Sequence, residues 1–362
     1  PADRQAICEP GVVTEQLQQC AEQQDLFYPV DFASSGSSQL GGNVSTNAGG
    51  IKVIRYGMTR EWIKGMKVVT GSGELLDLNR GLNKNATGYD FRHLFIGAEG
   101  TLGFIVELTV ALTNKPKDPT VLMLGVEKME QIMQVLQAFQ GKLDLTAFEF
   151  FSEKALKHVI EEKQLQRPFA TEPDFYALIE FENNSEQDMD TAMHLFETCL
   201  EEGWVVDGTI SQNSTQANNL WRLREDISET ISKFTPYKND ISVKVSKVPE
   251  FLREVDSLVT SVYPDFEIIW FGHIGDGNVH LNILKPDALA AEAFFKECSK
   301  VSDLVFEIVA KHGGSISAEH GVGLLKKPFL HYSRSTSEIA YMKAIKKIFD
   351  PKNIMNPGKL FD

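Results

Sequence analysis

The chain has 362 residues, 42% of them apolar and 24% charged, with a formal net charge of −14. That length allows two or three domains with ample core, and the composition is that of an ordinary soluble globular protein. So negative a chain repels nucleic acid and anionic membrane, no apolar run reaches transmembrane length, and an anionic substrate would need a local basic pocket. The cysteines, Cys8, Cys20, Cys199 and Cys298, are scattered without CxxC spacing, so reduced thiols in a cytoplasmic protein are expected. No signal peptide opens the chain, and Pro1-Ala2-Asp3-Arg4-Gln5-Ala6 reads as the middle of a protein.

Along the chain, the first distinctive stretch is residues 31–50, nearly all small and ending Thr46-Asn47-Ala48-Gly49-Gly50. Gly, Asn and Thr are interleaved rather than repeated, which reads as a shaped loop rather than a linker. Small residues let a backbone approach a ligand and turn N–H groups toward anionic oxygens. A second knot, Gly97-Ala98-Glu99-Gly100-Thr101-Leu102-Gly103, precedes a strand over 104–112. Neither knot matches GxGxxG at a strand–helix junction or GxxxxGK[ST], so neither a Rossmann site nor a phosphate loop is supported.

From 119 onward the pattern changes. Strands are predicted at 120–126, 145–151 and 175–181, with helices at 128–139, 153–163 and 185–202, and a further strand starting at Trp204. This alternation through short loops predicts an α+β layer, helices packed on one face of a sheet. Asn213-Ser214-Thr215 can cap a helix over 216–233, on which Trp221, Arg224 and Ser228 share a face. Lys238 follows its end, ahead of a strand over Ile241-Ser242-Val243-Lys244-Val245.

The segment from Gly272 to Asn282 carries the most chemistry. Ile268-Ile269-Trp270-Phe271 is an apolar run of strand type, and after Gly275-Asp276-Gly277 the residues alternate, with Asn278, His280 and Asn282 on one face. His273 is expected to end one strand and His280 to lie early in the next. A tight reversal then brings the two rings together, whereas a continuous strand would set them on opposite faces. Downstream stands Ser317-Ala318-Glu319-His320-Gly321. Two histidines and one carboxylate are a common ligand set for a catalytic divalent metal, which makes His273, His280 and Glu319 candidate ligands. Imidazoles more than about 8 Å apart could not share one ion at ordinary bond lengths.

These residues resemble the FAD-linked oxidases of the vanillyl-alcohol-oxidase type. Within them the chain looks like the D-2-hydroxyacid dehydrogenases, the group of D-lactate dehydrogenase, the glycolate oxidase D subunit and D-2-hydroxyglutarate dehydrogenase. The markers are Glu9-Pro10-Gly11-Val12, Gly41-Gly42-Asn43 with Thr46-Asn47-Ala48-Gly49-Gly50, Arg55-Tyr56-Gly57 and Gly88-Tyr89-Asp90. The second small-residue knot, the His273–Asn282 segment, Leu223-Arg224-Glu225, Ser317 to Gly321 and Asn356-Pro357-Gly358-Lys359 complete them.

The resemblance implies two lobes. Residues 1–114 would be the C-terminal part of an FAD-binding lobe whose N-terminal subdomain, with its Gly-rich loop, is absent from this chain. Residues 115–330 would form a substrate lobe built on a large antiparallel sheet covered by helices, and 331–362 would return to the FAD lobe. FAD would be lined by Pro10 and Gly11, by Gly42, Asn43, Thr46, Asn47, Gly49 and Gly50, and by Tyr56. Glu99, Gly100, Gly103 and Ile105 would add to that lining, as would Asn278 and Asn356. His273, His280 and Glu319 would match metal ligands, usually to zinc, and His320 the base that takes the substrate hydroxyl proton. Arg224, Ser228, Lys238 and Asn282 would hold the substrate acid. Ser228 stands where close relatives often carry Thr, and Lys244 where they commonly carry an uncharged residue. The expected reaction is oxidation of a D-2-hydroxy acid to the 2-oxo acid, with electrons leaving to an electron-transfer flavoprotein or a quinone. Cytoplasm is expected, or the mitochondrial matrix in a eukaryote, and a homodimer is compatible with the chain. Two other classes stay open at this point: a flavin-free metal-dependent hydrolase and a non-catalytic subunit of a larger flavin oxidase.

Overall fold

The computed structural model describes residues 2–361 and divides into two compact units, one of residues 1–115 with 317–362, the other of residues 116–316. The second boundary falls at Ile316, not near 330. The reason is local: within the first unit Glu319 accepts a hydrogen bond from the Gly50 N–H at 2.8 Å, and Glu99 accepts from the Val322 and Gly323 N–H groups, each at 2.7 Å.

The first unit holds a four-stranded antiparallel sheet of β1 (Gln5–Cys8), β2 (Ile63–Thr70), β3 (Leu75–Leu78) and β4 (Gly103–Ala111), in the order β1-β4-β2-β3. Val68, Leu108 and Val110 point into a core with Tyr28, Leu40, Val44, Phe95 and Ile96. The predicted strand at 104–112 is β4. The small-residue stretch is ordered: Leu40–Thr46 is a helix closed by Asn47 in the left-handed region.

The chain's last helix, Thr336–Phe349, ends on a buried ion pair. Lys346 Nζ donates to Asp350 at 2.7 Å and to the carbonyls of Thr101 and Met355 at 2.8 and 2.9 Å. Asp350 also accepts from the Ile354 and Met355 N–H groups. Burial works against the Asp350 carboxylate, but these partners outweigh it and pull its pKa below the usual carboxylate value. Its contribution is therefore complete above the ordinary carboxylate range and is lost as pH falls through the depressed value. Lys346→Met should lower stability by about 3–5 kcal/mol, the usual result of leaving one buried charge unpaired, and should lessen acid sensitivity. Urea melts of both proteins at neutral and acid pH check this; equal midpoints would refute it.

The second unit is built on a seven-stranded sheet in which every pairing is antiparallel. Its strands are β5 (Pro119–Val126), β6 (Leu145–Ser152), β7 (Phe175–Glu182), β8 (Asp207–Ile210), β9 (Tyr237–Ser242), β10 (Ile268–Gly272) and β11 (Asn278–Ile283), in the order β8-β5-β7-β6-β10-β11-β9. Strands β6, β10 and β11 are buried along their whole length, so both faces are covered. Phe148, Phe150, Phe151 and Phe181 are at most 1% exposed, each side chain contributing on the order of 1.5–3 kcal/mol of burial. Helices Met129–Phe139, Glu153–Lys163 and Glu186–Glu201 stand where expected.

Three elements differ from expectation. The strand near 204 starts only at Asp207, because the Trp204 and Val205 N–H groups close the preceding helix on the Cys199 carbonyl. The helix of 216–233 is two, Ser214–Glu225 and Ile227–Ser232, interrupted at Asp226. Strand β9 runs from Tyr237 to Ser242 rather than from 241 to 245, since its pairing with β11 sets Tyr237 opposite Ile283 and Ser242 opposite Asn278.

All four cysteines are free, and burial pushes the Cys8, Cys199 and Cys298 thiols up to about 11, 11 and 12, away from thiolate chemistry. Among the described residues, no helix is long and apolar enough to cross a membrane.

Candidate active site

One face of the second unit's sheet collects the chemistry. Register sets Phe271 opposite both Phe151 and His280, and His280 opposite Asp240. Neighbours across an antiparallel ladder share a face, as do residues two apart along a strand. Glu149, His273, His280, Asn282, Asp240 and Lys238 therefore lie on one side.

The expected reversal is present. His273 follows β10 directly, a short 3-10 turn over Ile274–Asp276 leads to Gly277 at φ +85°, and His280 is the third residue of β11. Gly277 cannot be replaced cheaply, because a Cβ there would meet the Val243 carbonyl oxygen at 2.1 Å. The two imidazoles stand edge to face, centroids 5.3 Å apart, with ring nitrogens within 4.8 Å. A single ion can reach both, so the donor pair fits a divalent metal. Each ring has a carboxylate behind it. Glu149 lies 2.8 Å from His273 Nδ1, and Asp240 lies 3.7 Å from His280 Nδ1.

The basic groups expected for a substrate acid are here as well. The helix Ser214–Glu225 opens on an Asn213 cap whose side chain accepts from the Gln216 N–H. Along it, Trp221 Nε1 donates to Glu180 on β7 at 2.8 Å, and Arg224 reaches Glu149 on β6 at 2.7 Å. Arg224 is buried, lies 4.9 Å from the Phe271 ring centroid, and its Nε has no hydrogen-bond partner among the described residues. Lys238 on β9 donates to Ser228 Oγ at 3.4 Å. Although its side chain as a whole is open to solvent, burial of the ammonium holds the Lys238 pKa below the ordinary lysine value. Asn282 is buried on β11 opposite Lys238, its Nδ2 3.4 Å from the His280 carbonyl.

The remaining candidates lie in the first unit, apart from Asn278, whose amide donates to Asp240 and the Ile241 carbonyl, both at 2.9 Å. Glu319 holds the Gly50 N–H with one oxygen, while its other is 3.6 Å from His320 Nε2; the His320 side chain is 60% exposed. Part of the small-residue signal has a protein cause. A Cβ at Gly50 would strike the Asp31 carbonyl at 1.9 Å, and one at Gly49 would crowd Glu319 and Val53. Gly103 likewise backs onto Val68 and Val69, and Ile105 is packed in the core. Gly11 and Gly42 have open space where a side chain would stand, and Gly100, at φ +69°, meets nothing closer than 3.9 Å, so these three leave room for a ligand. Pro10 packs on Gly41, Asn43 donates to Thr14 at 2.7 Å, and Thr46 donates to the Gly42 carbonyl. Asn47 accepts from the Arg60 N–H, the Tyr56 carbonyl accepts from Trp62, and Asn356 donates to the Glu99 carbonyl.

Sequence reasoning did not single out Glu149, Asp240 or Glu180. The available signal was a lone carboxylate inside an otherwise apolar strand, as in Ala147-Phe148-Glu149-Phe150-Phe151.

The family described as FAD linked oxidases, C-terminal domain, matches residues 115–360, and that described as FAD binding domain matches residues 1–79. The chain belongs to the FAD-linked oxidases and is an FAD-dependent oxidoreductase. It is 64% identical over 359 residues to a D-2-hydroxyglutarate dehydrogenase of Stutzerimonas stutzeri, covering 99% of this chain and 77% of that one. A D-2-hydroxyglutarate dehydrogenase of Xanthomonas citri is 52% identical over 360 residues, covering 99% and 76%. The chain thus spans about three quarters of the length of these two relatives. A solved 4-ethylphenol oxidase from Gulosibacter chungangensis superposes with a TM-score of 0.73 at 15% identity, over 99% of this chain and 77% of that one. At that identity it speaks for the fold alone, which is that of the vanillyl-alcohol-oxidase type.

Proposed function

We propose that the protein oxidises D-2-hydroxyglutarate to the 2-oxo acid, using FAD and a divalent ion, zinc by the chemistry of its donors, held by His273, His280 and Glu319. The observation that carries this reading is the carboxylate-backed histidine pair, on one sheet face with Lys238 and with the carboxylate that Arg224 reaches, in a chain 64% identical to a D-2-hydroxyglutarate dehydrogenase. A single family match, over 115–360, takes in every residue of the set, Glu319 and His320 included.

Oxidation removes a proton from the hydroxyl oxygen and a hydride from the carbon. When bound, FAD supplies the hydride acceptor and the metal lowers the hydroxyl pKa. The chain's own residues bind, orient and move the proton. Arg224, with an unpartnered Nε–H, grips a substrate carboxylate, and Lys238 with Ser228 offers a second cationic contact suited to a dicarboxylate. Asn282 supplies a neutral donor beside His280. His320 takes the hydroxyl proton at a ring nitrogen. Electrons then leave to an electron-transfer flavoprotein or a quinone, and the bacterial relatives favour the cytoplasm.

The Lys238 role has a pH signature. Its depressed pKa means that the ammonium is lost at lower pH than for an ordinary lysine. KM for the hydroxy acid should therefore rise early on the alkaline side, and Lys238→Arg, which stays charged, should remove that rise. Identical alkaline profiles for the two proteins would refute the role. A dye-linked assay of D-2-hydroxyglutarate, D-lactate, glycolate and the L-enantiomers tests the substrate. The expected result is the highest kcat/KM with D-2-hydroxyglutarate; turnover of only the monocarboxylates would overturn it.

A further inference from the structure

Glu149 is the most buried carboxylate on the site's face of the sheet, with its side chain 1% exposed at the centre of β6. A charge in that position is tolerated only if it is paired and hydrogen-bonded. It has two partners with different tasks. One oxygen is 2.9 Å and the other 2.8 Å from His273 Nδ1, and the latter is also 2.7 Å from an Arg224 Nη2. Register explains the first contact: Phe271 pairs with Phe151 and Gly272 with Phe150, so one further step sets Glu149 beside His273. The helix Ser214–Glu225 explains the second, since it carries Arg224 to the same carboxylate.

Two consequences follow from acceptor chemistry. A ring nitrogen facing a carboxylate carries the proton, so Nδ1 is the N–H, and in the neutral ring Nε2 then has the lone pair that a metal needs. A guanidinium with one arm on Glu149 and lying over Phe271 is fixed in direction, and its Nε–H is left buried without a partner, a donor that a bound anion would satisfy.

We propose that Glu149 is a positioning residue that couples the metal ligand His273 to the substrate anchor Arg224 through one carboxylate. This rests on the function proposed above. Glu149 touches neither metal nor substrate; it sets the tautomer of one group and the direction of another. A glutamine at 149 removes the charge that holds both groups; with its oxygen in the shared position, its NH2 end would stand where the oxygen 2.9 Å from Nδ1 is, donor to donor, and with the amide turned the other way it would face the guanidinium and Nδ1–H together.

The test uses the intact FAD-loaded protein and Glu149→Gln. Zn²⁺ affinity is read by chelator competition, and KM and kcat with D-2-hydroxyglutarate. Expected are a loss of Zn²⁺ affinity of about 10–100-fold together with a raised KM at unchanged flavin content. In a double-mutant cycle with Arg224→Lys, the KM effects should fall short of additive. A variant in which only one of the two quantities moves, or neither, overturns the coupling. Should Glu149→Gln not fold, the wild-type protein decides: ¹⁵N-histidine NMR of the metal-free form, with His273 assigned by its loss in His273→Gln, should show the proton on Nδ1. A proton on Nε2 overturns the positioning role. This readout needs neither metal nor substrate. Wild-type protein that binds no Zn²⁺ or oxidises no 2-hydroxy acid would instead sink the proposed function.

Discussion

His320→Ala should lower kcat by about 10²–10⁴-fold, the usual worth of a positioned base, while leaving flavin content and Zn²⁺ affinity in place. His320 adjoins Glu319, with Nε2 3.6 Å from its Oε1, and its side chain is largely exposed. The contrast is Arg224→Lys. It keeps the charge but loses the planar fork that meets Glu149 and the substrate acid, so it should chiefly raise KM. Steady-state kinetics on the two variants separate proton transfer from binding. An unchanged kcat for His320→Ala would remove the base, and with it this mechanism.

His273→Ala should have an effect of comparable size on a different quantity. It removes one of two imidazoles whose ring nitrogens lie within 4.8 Å of one another, and leaves the buried Glu149 facing a void with Arg224 alone. Zn²⁺ affinity should fall by more than the roughly 10–100-fold that loss of an outer partner costs, because a direct donor is gone. Some stability should be lost too, since Glu149 keeps only one of its two partners. Chelator competition and thermal melts read both. Wild-type Zn²⁺ affinity in this variant would strike His273 from the ligand set.

Much of the second unit could be read from the sequence because its physics is local. Apolar runs bounded by turns placed β5, β6, β7 and β10, and Gly275-Asp276-Gly277 announced the reversal that brings His273 to His280. The failures are instructive. Strand β9 was shifted because its opening, Tyr237-Lys238-Asn239-Asp240, is polar: Lys238 and Asp240 face the site, and the residues that chemistry needs erase the strand signature. Glu149 was invisible as a functional residue because its meaning lies in a partner 124 positions away, reached only through the order β6-β10-β11. In the first unit the small residues at 49 and 50 were read as approach points for a ligand; protein also comes close there, since an added Cβ would meet Asp31 at Gly50 and Glu319 and Val53 at Gly49.

On the proposed function, this chain's histidines, arginine and lysine serve a flavin that oxidises D-2-hydroxyglutarate. Anaerobic mixing of the FAD-loaded protein with that acid, followed by flavin absorbance, tests it most directly. The predicted result is bleaching of the oxidised flavin band by the D-enantiomer and not the L, abolished by a chelator and restored by Zn²⁺. A flavin that stays oxidised with metal present and D-2-hydroxyglutarate in excess would contradict the account.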